Sequence, residues 1–194
     1  AKNVLANDDK LIAEMIAGGD AVECFDGVYL FSNSHPTRTS AVQDNLMSGA
    51  LNAGNVASGI AQMRGFVGRN GEVYNLAPTT LIVPPELEKT AWELVNSLFK
   101  TDSGTYNDQP NFVRSKLQNV IVDNRLTDAD DWYLVNTGES LKPVLKLMRK
   151  PAQFASLRDM NSEIVFMKGQ YIFGLETRYS IAPGYWQYII KFVN

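Results

Sequence analysis

The residues that could do covalent chemistry are few in this sequence. It has one histidine, His35, and one cysteine, Cys24. A Ser–His–Asp or Cys–His site would need His35 as its base, but His35 precedes a proline in a polar segment and no Gly-x-Ser-x-Gly elbow accompanies it. We interpret His35 as a loop or turn residue and Cys24 as a small apolar residue in a strand. A small α+β hydrolase using Asp26 and His35 stays open as an alternative, and it requires both side chains to converge in a pocket.

Metal and phosphate sites have equally little support. The acidic segment from Asp123 to Asp131 lacks the glycine and terminal glutamate that a calcium-binding EF-hand loop needs at fixed positions. A solvated turn is the simpler interpretation. A single thiol excludes an intrachain disulfide and a multi-cysteine zinc site, and the glycines do not follow a phosphate-loop spacing. We therefore expect no cofactor and no metal.

Composition and charge narrow the class of protein. The 194 residues are 45% hydrophobic and 20% charged, with a formal net charge of −3, which suits a globular domain, in one or two lobes, with a substantial core. The modest basic cluster Lys142, Lys146, Arg149 and Lys150 is typical of a solvated strand face, so any contact with nucleic acid should be weak. No apolar run approaches the ~20 residues that span a bilayer. The lone cysteine fits synthesis in a reducing cytoplasm.

Helical spacing marks three segments in the first half of the chain. Residues Asn7 to Ala17 carry an i, i+4 apolar stripe and end at a Gly-Gly pair. A second helix is predicted from about Ala53 to Phe66, capped by Asn52. The third follows the buried strand Thr80–Val83, because Pro85 can open a helix without wasting a hydrogen-bond donor; its inward stripe is Leu87, Ala91, Leu94 and Leu98.

Strand patterns dominate the second half. Asp26-Gly27 predicts a turn between apolar residues, and 33–49 is predicted as a polar loop. Further strands are predicted at these positions: Val120–Val122, Trp132–Val135, Val144–Met148, Ile164–Met167, Tyr171–Phe173 and Tyr185–Val193. Helices early and strands late indicate an α+β fold instead of a doubly wound sheet.

An ordered set of short patterns resembles the Mu-like phage major head subunits. It starts with Asp26-Gly27-x-x-Leu30-Phe31-Ser32-x-x-His35-Pro36 and continues with Leu76-x-Pro78-x-x-Leu81-Ile82-Val83-Pro84-Pro85-x-Leu87-Glu88. The later members are Asp131-Trp132-Tyr133-Leu134-Val135, Val165-Phe166-Met167, Phe173-Gly174, Arg178 and Gly184-Tyr185-Trp186-Gln187. Together they extend from about Ala6 to Phe192.

The resemblance implies an HK97-type major capsid fold with a peripheral lobe and an axial lobe. On that mapping residues 1–20 are the end of a truncated spine helix, 21–50 a connecting hairpin and loop, 51–150 the axial lobe and 151–194 the return strands of the peripheral lobe. Such subunits usually carry an N-terminal arm and an extended hairpin before the spine helix. We expect both to be missing from this sequence, which starts at Ala1 near the end of that helix. This chain by itself is therefore expected to form a monomer or small oligomer, not shells.

The implied function is structural: a head subunit, found in the virion, that self-assembles into an icosahedral shell around genomic DNA without sequence-specific binding, with no catalytic site. Its partners would be copies of itself and possible scaffold, portal or decoration proteins. Two loops are predicted as subunit contacts, through Thr101, Asp102, Tyr106 and Asn107 and through Asp128, Asp130 and Asp131. An encapsulin-like compartment shell and a ring-forming head or tail component stay open as alternatives.

Overall fold

The computed structural model describes residues 2–37, 42–68, 70–99, 110–159 and 163–194, with side chains described from residue 7 onward. Four α-helices and nine strands occur in this part of the chain. In chain order they are α1 (Lys2–Ala17), β1 (His35–Pro36), β2 (Val42–Gln43), β3 (Leu46–Ser48), α2 (Ala53–Gly65), β4 (Thr80–Val83), α3 (Glu88–Asn96), β5 (Asn119–Val122), β6 (Trp132–Val135), β7 (Val144–Leu157), α4 (Glu163–Lys168), β8 (Ile172–Pro183) and β9 (Ile189–Val193).

The chain divides into two compact units. The main unit comprises residues 1–145 and 183–194, and the second, which we call the ribbon unit, comprises residues 146–182. The division into lobes at residues 20, 50 and 150 remains a prediction.

A mixed five-stranded sheet forms the centre of the main unit, with strand order β3-β9-β6-β4-β5. The two outer pairs, β3 with β9 and β4 with β5, are parallel, while β9 with β6 and β6 with β4 are antiparallel. All four residues of the middle strand β6 are buried, as expected for a continuous apolar run covered on both faces. Trp132 of β6 stacks on Phe192 of β9 with ring centroids 3.8 Å apart.

Helix α2 packs against this sheet because its side facing the strands is apolar and, at Gly59, small. Val56, Ile60 and Met63 are buried at near-helical spacing. A Cβ atom on Gly59 would lie 2.6 Å from Leu134 and 2.9 Å from Phe192, so glycine permits the close approach. Asn52 caps the helix by accepting a hydrogen bond from the Asn55 backbone, as predicted.

The strand and helix around Pro84-Pro85 confirm most of the predicted unit. Strand β4 is buried, Pro85 opens a single 3₁₀ turn, Pro85–Leu87, and α3 continues from Glu88. Ala91 and Leu94 are buried, but Leu98 lies beyond the end of the helix and is exposed. The predicted inward stripe is therefore wrong at Leu98, because the helix ends at Asn96, and Leu87 lies in the 3₁₀ turn and is only half-buried.

Other predictions from local pattern need correction. Residues 33–49 were predicted as a loop, but this segment contributes three short strands, β1 to β3, within the described residues. The segment Ile164–Met167 was predicted as a strand and forms part of helix α4 instead. A run of four apolar residues fits either conformation when its periodicity is not resolved. Strand β7 extends to Leu157 and is mostly exposed, although a half-buried strand ending near Met148 was expected.

Candidate functional site

The Asp26–His35 pair is the first candidate, because the structure brings these two side chains together. Gly27, at a φ of +79°, makes the turn after Asp26, and strand β1 supplies His35. The Nδ1 atom of His35 lies 2.7 Å from Oδ2 of Asp26. His35 is completely buried and stacks on Trp186 with centroids 4.0 Å apart. The interpretation of His35 as a loop or turn residue was therefore wrong.

Asn45 fixes the orientation of the His35 ring. Its Nδ2 donates to the backbone oxygens of Leu30 at 2.7 Å and Ile189 at 3.2 Å. Its Oδ1 accordingly accepts, from the Ser32 N–H at 3.0 Å and from His35 Nε2 at 3.1 Å. We assign the Nε2 proton from this network, which leaves one proton between Nδ1 and the Asp26 carboxylate. The cluster ties three separate chain segments together.

The same geometry is poorly suited to catalysis. The rival hydrolase requires Asp26 and His35 within hydrogen-bond reach, and this requirement is met. It also requires a ring nitrogen to reach a nucleophile or substrate, whereas both nitrogens of His35 are engaged by Asp26 and Asn45. A cavity of about 340 Å³ is lined by Asp26, Trp186 and Gln187 among others, but His35 is not part of its lining.

The single thiol is not activated. Cys24 is buried, and burial, reinforced by the charge of Asp26, raises its pKa to about 12. A thiolate is the reactive form of cysteine, so this environment opposes nucleophilic chemistry. The prediction that Cys24 is a small buried residue is confirmed, although it lies in the turn segment and not in a strand.

A second buried polar cluster surrounds Lys191 in the middle of the main sheet. Its Nζ lies 2.8 Å from Asp20 Oδ2 and 3.0 Å from Asp131 Oδ2. Burial alone would lower the pKa of Lys191, but the hydrogen bonds that its ammonium donates to these two carboxylates outweigh it and raise that pKa. Burial also raises the pKa of the neighbouring Tyr133 to about 12. The charge of Lys191 is thus paired within the cluster, although Asp20 is half-exposed and the same residues line a cavity of about 210 Å³.

The predicted contact residues fall into three groups. Thr101, Asp102, Tyr106 and Asn107 lie outside the described residues. Asp128 and Asp130 are exposed on a turn, where Asp128 accepts a hydrogen bond from the Asp130 N–H at 3.0 Å. Asp131 is buried against Lys191, so the prediction of a fully solvated acidic turn is wrong at this residue. Whether any of them contacts another subunit remains a prediction.

The ribbon unit presents the apolar surface that local patterns did not single out. Strands β7 and β8 pair only with each other among the described strands, and most of their side chains are exposed. Of the 24 exposed large apolar side chains in the described part of the chain, 11 lie in residues 146–182. The sequence did contain one sign of this surface, the apolar run Val165-Phe166-Met167 before Gly169. It was interpreted as part of a strand. Large exposed apolar patches mark interaction sites.

Within the described ranges, no group of three His, Cys, Asp or Glu side chains is placed to hold a metal ion. None of the helices described is long and apolar enough to cross a membrane.

Comparison with known proteins places these features in a family. The family model described as "Phage capsid protein" matches residues 3–183. The Mu-like prophage FluMu major head subunit of Haemophilus influenzae (strain ATCC 51907 / DSM 11121 / KW20 / Rd) is 39% identical over 62 residues, which is 32% of this chain and 20% of that protein. The resemblance to Mu-like head subunits is thereby confirmed.

Two solved phage structures match the chain. The bacteriophage JBD30 capsid matches with a TM-score of 0.53 and 16% identity, over 63% of this chain and 64% of that one. The procapsid of bacteriophage JBD30 matches with a TM-score of 0.46 and 19% identity, over 96% of this chain and 39% of that one. The chain thus spans less than two thirds of each of these relatives. The first of the two supports the predicted α+β, HK97-type fold.

With 181 of its 194 residues inside the matched range, the chain belongs to the phage capsid protein family.

Proposed function

We propose that this chain is the structural part of a phage major head subunit, which assembles with copies of itself into a closed icosahedral shell around genomic DNA. The observation that carries the proposal is the family match over residues 3–183. The action of such a subunit is association: a closed shell repeats a modest contact many times under point-group symmetry, and linked contacts add avidity.

The geometry of the polar groups supports a structural role. The side chains with catalytic potential, Asp26, His35 and Cys24, are buried or engaged with one another and with Asn45. The charged cluster around Lys191 is likewise satisfied internally. Unpaired apolar surface, by contrast, is concentrated in the ribbon unit. This distribution suits a subunit whose work is done by its surfaces.

The proposal extends to partners and location. Copies of the same chain are the principal partner, with scaffold, portal or decoration proteins as possible others. DNA is enclosed without sequence-specific contacts, in keeping with the net charge of −3. The assembled product resides in the virion after synthesis in the bacterial cytoplasm.

Electron microscopy of the complete gene product, expressed with its neighbouring genes, tests the proposal. We expect closed shells of uniform size that contain DNA when packaging proteins are present. Rings alone would favour a head or tail connector. Shells that enclose a protein cargo, from a locus without terminase or portal genes, would favour an encapsulin-like compartment.

A further inference from the structure

The tip of the ribbon unit carries an apolar anchor beside a basic residue. Phe166 and Met167 on helix α4 are 82% and 74% exposed, the two highest values among the exposed large apolar side chains. Lys168 follows them at the end of the helix and is also exposed. Within the described residues Lys168 makes no ion pair, so its charge is available to a partner.

Charge separates the two units of the chain. Residues 146–182 contain six Lys or Arg and three Asp or Glu, a net charge of +3. Because the whole chain carries −3, the remaining residues carry −6. A basic surface on one copy and an acidic surface on another attract each other, and this complementarity favours a second copy of the chain as the occupant.

A groove of about 380 Å³ beside helix α3 offers matching chemistry on the main unit. It is lined by Pro85, Glu86, Glu88, Lys89 and Trp92. Trp92 is 64% exposed and supplies an apolar wall, while Glu86 and Glu88 supply negative charge. Aromatic residues in such grooves often provide the energetic centre of an interface.

We infer that helix α4 of one copy docks into the Trp92 groove of a second copy, with Phe166 and Met167 against Trp92 and Lys168 beside Glu88. The inference rests on the proposed function and specifies one contact by which subunits associate. Helix α4 and the Trp92 groove are different surfaces of the same chain, so the contact is heterologous. Heterologous contacts close into rings when the rotation permits, as the capsomers of a shell require.

Sedimentation velocity of the 194-residue chain over a range of concentrations, at low salt, tests the contact. We expect concentration-dependent association that Phe166→Asp and Trp92→Ser each weaken by about tenfold or more, the loss typical of an interface anchor. Val73→Asp is the matched control, because Val73 is 62% exposed on the main unit, outside both surfaces. A melting transition near that of the parent chain confirms that each variant is folded.

A charge exchange tests the pairing itself. Lys168→Glu and Glu88→Lys should each weaken association, and the double variant should recover most of the loss because the attraction is restored with opposite polarity. A parent chain that stays monomeric at every concentration overturns the inference. The inference is also overturned if the double variant associates no more strongly than either single variant, or if Phe166→Asp leaves association unchanged.

The complete gene product separates this inference from the proposed function. Shells that form normally from the Phe166→Asp and Trp92→Ser proteins would remove this contact and leave the structural role intact. If the unchanged complete product forms no shells under conditions that support phage assembly, the structural role itself fails.

Discussion

The two units of this chain contain similar aromatic residues, but the main unit buries many of them and the ribbon unit exposes most of them. In the main unit, large aromatic side chains such as Trp132 and Phe192 stack inside the sheet. In the ribbon unit, Phe154 and Phe173 also stack, with centroids 6.0 Å apart, but both remain more than half exposed. The main unit encloses a core of large apolar side chains and gains its fold thereby. The ribbon unit leaves most of its large apolar side chains exposed, and the proposed contact between copies rests on this exposure.

Charged pairs show the same contrast. Lys191 in the main unit is 5% exposed and holds two carboxylates. Lys150 in the ribbon unit pairs with the exposed Glu176 while itself partly exposed, and this contact lowers the pKa of Glu176. Solvent screens the Lys150–Glu176 pair far more than the buried Lys191–Asp131 pair. Substitutions of buried residues in the main unit should therefore affect folding, whereas substitutions of exposed residues in the ribbon unit should affect association.

The largest effect is expected from Trp132→Ala. Trp132 is fully buried, stacks on Phe192 and donates a hydrogen bond from Nε1 to the Gly49 oxygen at 3.0 Å. Its loss should lower the free energy of unfolding by about 4 kcal/mol, through lost burial and the cavity that remains. Urea titration followed by circular dichroism measures this value. Phe154→Ala is the ribbon counterpart and should change it by less than about 0.5 kcal/mol; equal losses would erase the contrast between the units.

Lys191→Met should be next in size. The substitution keeps the length of the side chain but leaves the Asp131 carboxylate buried without its cation. A cost of about 3 kcal/mol is expected for breaking a buried pair from one side, measured by the same titration. Lys150→Met should be far less harmful, because its partner Glu176 is exposed. A double variant, Lys191→Met with Asp131→Leu, should recover part of the loss; no recovery would mean that the pair is not what Lys191 contributes.

Asn45→Ala probes the other buried cluster. It removes the acceptor for His35 Nε2 and the donor to the Leu30 and Ile189 oxygens. Buried groups left without partners should cost about 2 kcal/mol, visible as a lower urea midpoint. Asn33→Ala, at an exposed position of the same segment, is the control. If both variants unfold at the parent's midpoint, the cluster does not hold these segments together.

A rise to pH 10 should produce the smallest of these losses. Burial raises the pKa of Cys24 from 9.0 to about 12 and that of Tyr133 from 10.0 to about 12. The unfolded chain therefore releases these protons first, so stability present below pH 9 declines as pH rises toward 12. At pH 10 the shifted pKa of Cys24 should lower the free energy of unfolding by roughly 1 kcal/mol.

Thermal unfolding of the parent chain and of Cys24→Ala at pH 8 and pH 10 isolates the thiol. The parent should lose more stability between these two values than the variant does. An identical pH dependence in the two proteins would show that the Cys24 thiol does not differ between the folded and unfolded states.

Local pattern predicted those elements whose cause is local. The cap at Asn52, the strand Thr80–Val83 before Pro84-Pro85 and the buried strand Trp132–Val135 all depend on neighbouring residues. The α+β class followed from their order, and it is confirmed. Local pattern failed at Ile164–Met167, where a short apolar run fits a strand or a helix equally well.

The polar clusters were beyond local pattern because their members are far apart in sequence. Asp20 and Lys191 are separated by 171 positions, and their contact at 2.8 Å depends on β9 entering the middle of the sheet. His35 similarly looked like a loop residue, since its burial against Trp186 requires the two ends of the main unit to meet. A pairwise contact of this kind has no signature in either segment alone.

The amino-acid sequence alone specified a chain with a real core, an α+β order of elements, a scarcity of catalytic groups and a resemblance to phage head subunits, because these depend on composition, on the spacing of neighbouring residues and on ordered short patterns. Folding in three dimensions settled which charges are neutralised inside the molecule and which apolar side chains remain outside it. The reason is that burial belongs to the packed arrangement: Phe192 and Phe166 are the same residue type, yet Phe192 is enclosed in the main sheet and Phe166, on helix α4, stays in solvent.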